Sequence, residues 1–243
     1  MAIGGVTLSK SYIYDKQESL WGESEVIGFG KDNLCVRKIN RDLANKIIVE
    51  NHYSEKYYNA SYIHLGVFKD EELKGVLQYG YAMNPASCSS VVEGTEMDEY
   101  LELNRMWLHD SLPRNTASQV ISYSIKYIKR KYPKIKWIQS FADERCNRFG
   151  VVYQAANFDY YGEHTSKFYR LENEVYHKSL MERDPDLTPK AKYLQENKEK
   201  AESFDARQFR YIYWINQSWK NKCNLEEKEY PKHYNDKKAG VVK

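Results

Sequence analysis

The stretch NRMWLHDSLPRNTASQ, residues 104–119, leads from an apolar strand end through a polar loop into the start of a helix. Residues 106–108 are apolar, Pro113 interrupts the loop, and Asn115 or Thr116 can cap the helix that follows. In α/β proteins, ligands are held by loops that follow the carboxyl end of a strand. The loop has no glycine, although a glycine-rich turn is the usual phosphate cradle. The stretch therefore predicts a ligand-binding loop of unusual composition.

The patterns on either side of this loop predict alternating strands and helices. The segment at 117–131 carries Val120, Ile121, Ser124, Ile125 and Ile128 on one helical face. The other expected elements are a helix at 41–54 with Leu43, Ile47 and Ile48 on its apolar face, a hairpin of strands at 62–68 and 76–83, strands at 101–108 and 135–142, a short helix at 148–156, and strands at 157–161 and 168–177. This order predicts an α/β protein with one central twisted mixed sheet flanked by helices.

The composition changes near residue 178, where a C-terminal extension is expected. We predict a main catalytic domain at 1–177, a charged linker and helix at 178–206, a returning strand of the same domain at 207–220, and a charged, poorly ordered tail at 221–243. Within the first 36 residues, the strand-like pieces are at 11–15 and 24–30.

Composition limits the possible classes of protein. The net charge is only +3, so a basic surface requires clustering of its 37 lysines and arginines. The 22 tyrosines are explained by codon bias in an AT-rich genome or by a surface that stacks on nucleobases. No apolar run approaches the ~20 residues needed to span a membrane. The cysteines show no metal-like spacing, and no signal peptide is evident. These features predict a soluble, cytoplasmic protein with free thiols.

A first resemblance lies in GVVYQAANFDYYG, residues 150–162. The spacing of Tyr153 and Phe158, together with the order of elements, resembles the GNAT acyltransferase superfamily. That resemblance implies a strand that feeds a coenzyme A loop and helix. Here the glycine-rich loop is replaced by SLPRNTAS, residues 111–118, so the pattern departs at the expected diphosphate site.

Four ordered motifs carry a closer resemblance. They are ENHYS (50–54), ELNRMWLHDSLPRNTASQVISYSIK (102–126), KWIQSFAD (136–143) and VVYQAANF (151–158). Together they resemble the Mom family of phage DNA-modification proteins. The resemblance implies a GNAT-like enzyme, encoded by a phage and acting in the bacterial cytoplasm. Such an enzyme converts adenine in DNA to N6-carbamoylmethyladenine and protects the DNA from restriction enzymes.

The resemblance implies functional roles for His52, Tyr53, Arg105, Ser118, Asp143 and Tyr153. Adenine's exocyclic amine is a poor nucleophile, so a carboxylate must accept its proton, and Asp143 follows a strand end. The alternative for Asp143 is a cap or turn residue. Tyr153 lies where GNAT enzymes keep the acid that protonates the leaving group, and its alternative is a packed helix tyrosine. The family's glycine-rich stretch after this point is replaced by ERCNRFG, residues 144–150.

The remaining candidates concern the donor and the first helix. Arg105 lies on an apolar strand and needs an anion, either a donor phosphate or a carboxylate in a structural pair. Ser118 offers a hydroxyl beside first-turn N–H groups, or is an ordinary helix-start serine. Asn104 and Ser140 flank the strand ends and are predicted to line the donor pocket. His52 and Tyr53 are predicted as catalytic, with satisfied surface groups as the alternative.

Double-stranded DNA is the predicted partner, and a homodimer is possible. Candidate phosphate contacts are Lys126, Lys129 and Arg130 in one basic segment and Arg207, Arg210 and Lys220 in another. A solvated face with cations at a helix C-terminus is the alternative for the first segment. Chemistry at N6 of stacked adenine requires base flipping, and tyrosines such as Tyr53, Tyr153, Tyr79 or Tyr81 could stack on the extruded ring.

The donor is predicted to be acetyl-CoA or an activated glycine such as glycyl-tRNA, and no metal is predicted. A glycyl group is an isomer of the added group, whereas acetyl-CoA supplies no nitrogen. Two alternative functions remain from the sequence. One is a CoA-dependent N-acetyltransferase acting on a small amine or protein, and the other is a non-catalytic GNAT-fold DNA-binding protein.

Overall fold

Strands and helices alternate along the chain in the computed structural model, which describes residues 16–17, 25–26, 28–31, 33–146, 149–182 and 189–231. Within these ranges the strands are β1 (Lys16–Gln17), β2 (Glu25–Val26), β3 (Gly28–Lys31), β4 (Leu34–Lys38), β5 (Ser61–Lys69), β6 (Glu72–Gly80), β7 (Tyr100–Leu108), β8 (Trp137–Asp143), β9 (Asp159–Leu171), β10 (Glu174–His177) and β11 (Glu202–Trp214). The α-helices there are α1 (Arg41–Asn51), α2 (Cys88–Val91), α3 (Thr116–Lys131), α4 (Val151–Gln154) and α5 (Pro189–Glu196). The predicted α/β class is confirmed.

The described chain divides into two compact units. The first comprises the residues up to Ser140 together with Val152–Asp159 and Ile212–Glu226. The second comprises Phe141–Val151, Tyr160–Tyr211 and the residues from Glu227 onward. Strands β8, β9 and β11 each carry residues of both units, and the predicted domain bounds stay a prediction.

A parallel strand pair in the first unit carries the candidate residues Asn104, Arg105 and Ser140. The strand order is β8-β7-β6-β5-β4-β3, and neighbours from β3 to β7 are antiparallel. Strands β7 and β8 are parallel, but their ladder covers only three residue pairs, from Tyr100 opposite Trp137 to Glu102 opposite Gln139. Strand β7 continues to Leu108. In the described residues the two strands therefore pair only near their beginnings.

Helix α3 buries the face that its periodicity predicts. Val120, Ile121, Ser124, Ile125 and Ile128 are all buried. Ser124 is tolerated there because its hydroxyl donates to the carbonyl of Ile121 and accepts from the phenol of Tyr79. The predicted amphipathic helix is confirmed.

The apolar face of α1 differs from the prediction at one position. Leu43 is 38% exposed, while Ala44 and Ile48 are fully buried and pack with Val76 on β6. The buried stripe follows the i, i+4 pair formed by residues 44 and 48, and Leu43 lies to one side of it. The sequence pattern did not include Ala44, because it was based on large apolar side chains.

The prediction of one strand at 168–177 is wrong. Strand β9 ends at Leu171, and β10 pairs back against it from Glu174 onward. Glu172 forms the turn with φ of 55°. No glycine or proline marks this turn, so the sequence pattern gave no signal for it. The expected helix at 148–156 is shorter than predicted and covers Val151–Gln154.

The last part of the chain also differs from expectation. The returning strand is β11, which begins earlier and ends earlier than the predicted range 207–220 and is followed by a 3₁₀ turn at Gln217–Lys222. The tail predicted from residue 221 makes backbone contacts where it is described, since the Asn224 N–H donates to the Val91 carbonyl at 2.9 Å. The strand piece expected at 11–15 and the tail residues 232–243 lie outside the described residues.

The second unit has its own strand order, β10-β9-β11. A small apolar cluster of Leu171, Tyr176 and Leu194 joins β9, β10 and α5. Across the described ranges, none of the helices has the length and apolar character that a bilayer crossing requires.

Candidate active site

Polar side chains gather where the ladder between β7 and β8 ends. The Glu102 carboxylate accepts a hydrogen bond from Gln139 Nε2 at 2.9 Å and another from Asn104 Nδ2 at 3.2 Å. Gln139 is only 6% exposed, and its amide oxygen meets no hydrogen-bond donor among the described residues. The first unit thus holds a half-buried carboxylate beside an unsatisfied acceptor.

Asn104 and Ser140, both predicted to line the donor pocket, lie in this same cluster. The Asn104 side chain accepts from the Ser61 hydroxyl at 2.9 Å and donates to the Tyr81 carbonyl at 3.1 Å. Ser140 is fully buried, and its hydroxyl donates to the Leu103 carbonyl at 3.4 Å. The polar groups of the cluster are therefore oriented by backbone contacts of the sheet.

Arg105 ties β7 to the segment that follows α1. Its Nε donates to the Lys56 carbonyl at 3.1 Å, and its Nη1 donates to the Asn104 carbonyl at 2.7 Å. Its guanidinium also lies 5.8 Å from the ring centre of Tyr58. Burial lowers the pKa of Arg105, while the nearby Tyr53, Glu102 and Tyr58 oppose that shift. Arg105 therefore tethers the loop after α1 to β7 and also places a positive charge there.

His52 and Tyr53 begin that loop. His52 follows the last turn of α1 and is 8% exposed, so the surface alternative does not hold for it. Its Nδ1 accepts from the backbone N–H of Ser54 at 3.1 Å, which places the proton of the neutral ring on Nε2. Tyr53 is 64% exposed, and its ring lies 4.2 Å from the imidazole. Tyr53 lies close enough to Arg105 to affect the pKa of its guanidinium.

The glycine-free loop before α3 obtains its turn from asparagine. Asn115 has φ of 68°, in the left-handed region that asparagine tolerates better than most side chains. It is the N-cap of α3, but its side chain makes no capping bond. The Ser118 hydroxyl donates to the Asn115 carbonyl at 3.0 Å, so it closes the first turn. Asn115 thus supplies the backbone conformation for which a glycine is normally used.

Asp143 lies in the second unit, and Arg145 binds its carboxylate. The backbone N–H of Arg145 donates to Asp143 Oδ1 at 2.9 Å, and Arg145 Nε donates to both carboxylate oxygens at 3.0 Å. Arg145 Nη2 makes a further charged contact with Oδ2. The same guanidinium stacks over the ring of Phe168 at 4.0 Å. Arg145 therefore fixes the orientation of the Asp143 carboxylate through its backbone and its side chain.

Tyr153 lies in the first unit on α4. It is 8% exposed, with its ring 5.6 Å from that of Phe158. Tyr79 is fully buried against α3, and burial raises the pKa of its phenol, with a smaller contribution from Tyr153. Tyr79 is therefore unavailable for stacking on a base, and Tyr153 is also buried, whereas Tyr53 is exposed and Tyr81 is partly exposed.

The predicted DNA contacts separate into two groups. Lys126, Lys129 and Arg130 are exposed on α3, and Lys129 lies over the ring of Tyr213 at 5.2 Å. The other three are engaged elsewhere: Lys220 pairs with Asp159 at 2.8 Å, Arg207 pairs with Glu144 at 2.7 Å, and Arg210 lies 5.2 Å from the Phe141 ring. The α3 group is the better placed for phosphates.

A tyrosine-lined pocket of about 530 Å³ opens at the C-terminal end of α3. Its lining residues are Tyr62, Tyr81, Asp98, Lys131, Tyr132, Pro133, Lys134 and Ile135. The rings of Tyr62 and Tyr81 are 5.1 Å apart, and burial, with help from Tyr81, raises the pKa of Tyr62 to about 12. Neutral aromatic faces beside lysines match the chemistry of a nucleotide.

Sequence reasoning did not find Glu102 or Gln139. Glu102 is a charged residue between Leu101 and Leu103 on an apolar strand, which is the criterion that selected Arg105. Applying that criterion to the whole strand would have found it. Gln139 carries no such signal, because its contact with Glu102 depends on the pairing of β8 with β7, and the two residues are 37 positions apart.

Comparison with known proteins identifies the family. The profile of the Mom protein family matches residues 33–232. A protein of Escherichia phage Mu named "Methylcarbamoylase mom" is 46% identical over 226 residues, which is 92% of this chain and 94% of that protein. The chain belongs to the Mom protein family. The resemblance carried by the four motifs is thereby confirmed.

Solved acetyltransferases are similar to this chain in structure. The ribosomal-protein-S5-alanine acetyltransferase from Vibrio fischeri is 11% identical, with a TM-score of 0.46, and the match covers 79% of this chain and 98% of that chain. NAA60 from Arabidopsis thaliana, in complex with acetyl-CoA, is 12% identical, with a TM-score of 0.46 over 75% of this chain and 99% of that chain.

Within the described ranges, no three His, Cys, Asp or Glu side chains come together as a metal site. The prediction that no metal takes part stays a prediction.

Proposed function

We propose that this protein is a transferase that converts adenine in DNA to N6-carbamoylmethyladenine and thereby protects phage DNA from restriction enzymes. The observation that carries the proposal is the 46% identity, along 92% of the chain, to a protein named methylcarbamoylase. The polar cluster of Glu102, Asn104 and Gln139 at the end of the parallel ladder supports it, because group transfer to an amine needs oriented acceptors.

The donor in this proposal is an activated glycine ester, such as the ester at the end of an aminoacyl-tRNA. The N6 nitrogen attacks the ester carbonyl, loses a proton to a carboxylate, and releases the donor's hydroxyl, to which Tyr153 supplies a proton. The glycyl amine then attacks ring C6 and forms a five-membered spiro ring. Cleavage of the original C6–N6 bond yields the carbamoylmethyl isomer with no further reactant. Acetyl-CoA is the alternative donor, but it brings no nitrogen.

Donor binding is assigned to the β7–α3 region. Arg105 offers a cation, Ser118 and the first-turn N–H groups of α3 can hold an anion, and Asn104 with Ser140 lines the strand ends. Asn115 gives the loop the backbone turn that lets a donor approach without glycine. The arrangement suits a donor with one phosphodiester or carboxylate near α3.

DNA contacts are assigned to the exposed cations of α3 and the tyrosine-lined pocket beyond them. Lys126, Lys129 and Arg130 lie on the helix whose end forms that pocket, so phosphate contacts and base stacking can act on one strand. Tyr62→Ala should weaken the binding of duplex DNA containing an unpaired adenine, because a stacked base contributes about 1–3 kcal/mol. Fluorescence anisotropy measures this, with Tyr57→Ala, an exposed tyrosine outside the pocket, as the matched control.

Restriction protection in cells tests the function. Plasmid DNA from cells that express the whole chain should resist enzymes whose sites contain adenine, whereas DNA from cells with an empty vector should be cut. Feeding glycine labelled with ¹⁵N should place the label on the nitrogen attached to C6. Tight acetyl-CoA binding with acetylation of small amines and no DNA affinity would instead identify an N-acetyltransferase. Tight DNA binding with no modified base would identify a non-catalytic protein.

A further inference from the structure

Asp98 is the one carboxylate among the eight residues that line the tyrosine-lined pocket. Its side chain is 48% exposed, so a ligand that enters the pocket can reach it. The proposed function gives the tyrosines of this pocket a stacking role but assigns nothing to Asp98. A carboxylate beside aromatic rings adds a hydrogen-bond acceptor to a surface that otherwise offers flat faces and cations.

The neighbouring Lys134 keeps the Asp98 carboxylate charged. Lys134 Nζ donates to Asp98 Oδ2 at 2.8 Å, and this hydrogen bond lowers the pKa of Asp98. The two oxygens of a carboxylate have about four acceptor positions, so one ammonium does not exhaust them. Asp98 can therefore accept a further N–H from a ligand while it remains paired with Lys134.

The rest of the pocket suits a neutral flat ring attached to an anionic backbone. The rings of Tyr62 and Tyr81 lie 5.1 Å apart, and the 42% exposure of Tyr62 leaves a ring face open for stacking. Burial raises the pKa of Tyr62 and of Tyr132, so both phenols stay neutral. Aromatic faces also attract organic cations, but the two lysines of the lining disfavour a cation here. The volume of about 530 Å³ is typical of a ligand pocket.

The pocket adjoins residues that are assigned to the donor. The Asn104 side chain donates to the Tyr81 carbonyl at 3.1 Å and accepts from the hydroxyl of Ser61, the residue before Tyr62, at 2.9 Å. The backbone that carries both tyrosines is therefore tied to Asn104, which is predicted to line the donor pocket. A base stacked on these tyrosines lies next to the donor-binding region within the first unit.

We propose that the pocket receives the adenine extruded from DNA and that Asp98 selects it by accepting a hydrogen bond from its N6 amine. This inference rests on the proposed function and deepens it by naming the residue that distinguishes the base. The ring stacks on Tyr62 and Tyr81 while one N–H of the amine donates to the carboxylate. Hypoxanthine has a keto oxygen in place of the amine, so it sets a second acceptor against Asp98 and is rejected. Asp98 contacts the base without taking its proton.

Fluorescence anisotropy of the whole chain with short DNA duplexes tests the assignment. Each duplex carries one unpaired base opposite an abasic position, either adenine or hypoxanthine. The wild-type chain should bind the adenine duplex at least ~10-fold more tightly, because hypoxanthine loses a charge-assisted hydrogen bond. Asp98→Asn should reduce this preference to less than ~3-fold, because an amide can also donate to the keto oxygen. The variant should keep the wild-type Tm, since the side chain is exposed and its ion pair lies at the surface.

Two further variants separate base recognition from the ion pair. Asp70→Asn is the matched control, because Asp70 is also an exposed aspartate paired with a lysine but is not among the lining residues, and it should keep the preference. Lys134→Gln removes a cation, so it should weaken the binding of both duplexes alike and keep the preference for adenine. A loss of preference in Lys134→Gln equal to that in Asp98→Asn would show that the ion pair is responsible, and the inference would fail.

The wild-type chain and Asp98→Asn give the other decisive outcomes. Equal binding of the two duplexes by the wild-type chain, or an undiminished preference in Asp98→Asn, would overturn the inference. Neither result bears on whether adenine is modified in cells. Absence of modified adenine with the wild-type chain would instead refute the proposed function, so the two failures are distinguishable.

Discussion

Replacing Arg105 by lysine separates the charge of this residue from its geometry. The guanidinium donates to the carbonyls of Lys56 and Asn104, and a lysine ammonium can replace at most one of these two bonds. A hydrogen bond from a charged donor contributes about 1.5–3 kcal/mol. Because the group is only half-buried, we expect the lower value, a loss of ~1.5 kcal/mol, which corresponds to a decrease in Tm of about 3–6 °C for a chain of this size.

Urea unfolding measures the loss, and hydrogen exchange locates it. Amides of residues 52–58 should exchange faster in Arg105→Lys, and transfer to DNA should fall at least tenfold because His52 and Tyr53 begin that loop. Arg41→Lys is the matched control, since Arg41 makes one exposed bond to the Asn59 carbonyl and should cost about 0.5 kcal/mol. Wild-type stability and transfer in Arg105→Lys would refute the idea that the arginine acts by tethering the loop.

Two further predictions concern the second unit. Gly150→Ala should cost ~3 kcal/mol, because Gly150 has φ of +78° and an added Cβ would lie 2.2 Å from the Tyr211 ring, whereas Gly94→Ala, with φ of +71° and open space, should cost only ~1 kcal/mol. Equal Tm values for the two variants would contradict this. Arg207 lowers the pKa of Glu144 by hydrogen bonding, so Glu144→Gln should cost ~1 kcal/mol at pH 7. That difference should shrink as the pH falls through the lowered pKa of Glu144, because the wild-type carboxyl is then protonated too; a difference in thermal scans that stays constant from neutral to strongly acidic pH would contradict it.

Local patterns predicted the elements that local physics determines. Helix α3 could be predicted because Val120, Ile121, Ile125 and Ile128 repeat at the helical period, and the β5–β6 hairpin because both strands alternate. The turn at Glu172 could not be predicted, since a glutamate in the left-handed region has no sequence signature. The polar backbone contacts after residue 221 depend on α2, far away in the chain, and local composition does not report them.

In the candidate site, too, residues in local motifs could be predicted, whereas a residue whose role depends on pairing between distant strands could not. His52, Tyr53 and Arg105 were found through family motifs, and the structure brings them together with Asn104 in the first unit. Asp143 and Arg145 are two residues apart, so their pairing could be predicted from local sequence. Gln139 required knowledge of the β7–β8 register, which only the folded sheet provides.

Mass spectrometry of nucleosides tests the central claim most directly. DNA from cells that express the whole chain should contain one new deoxyadenosine derivative that carries a carbamoylmethyl group on N6, absent from cells with an empty vector. DNA from expressing cells in which every deoxyadenosine is unmodified would contradict the account.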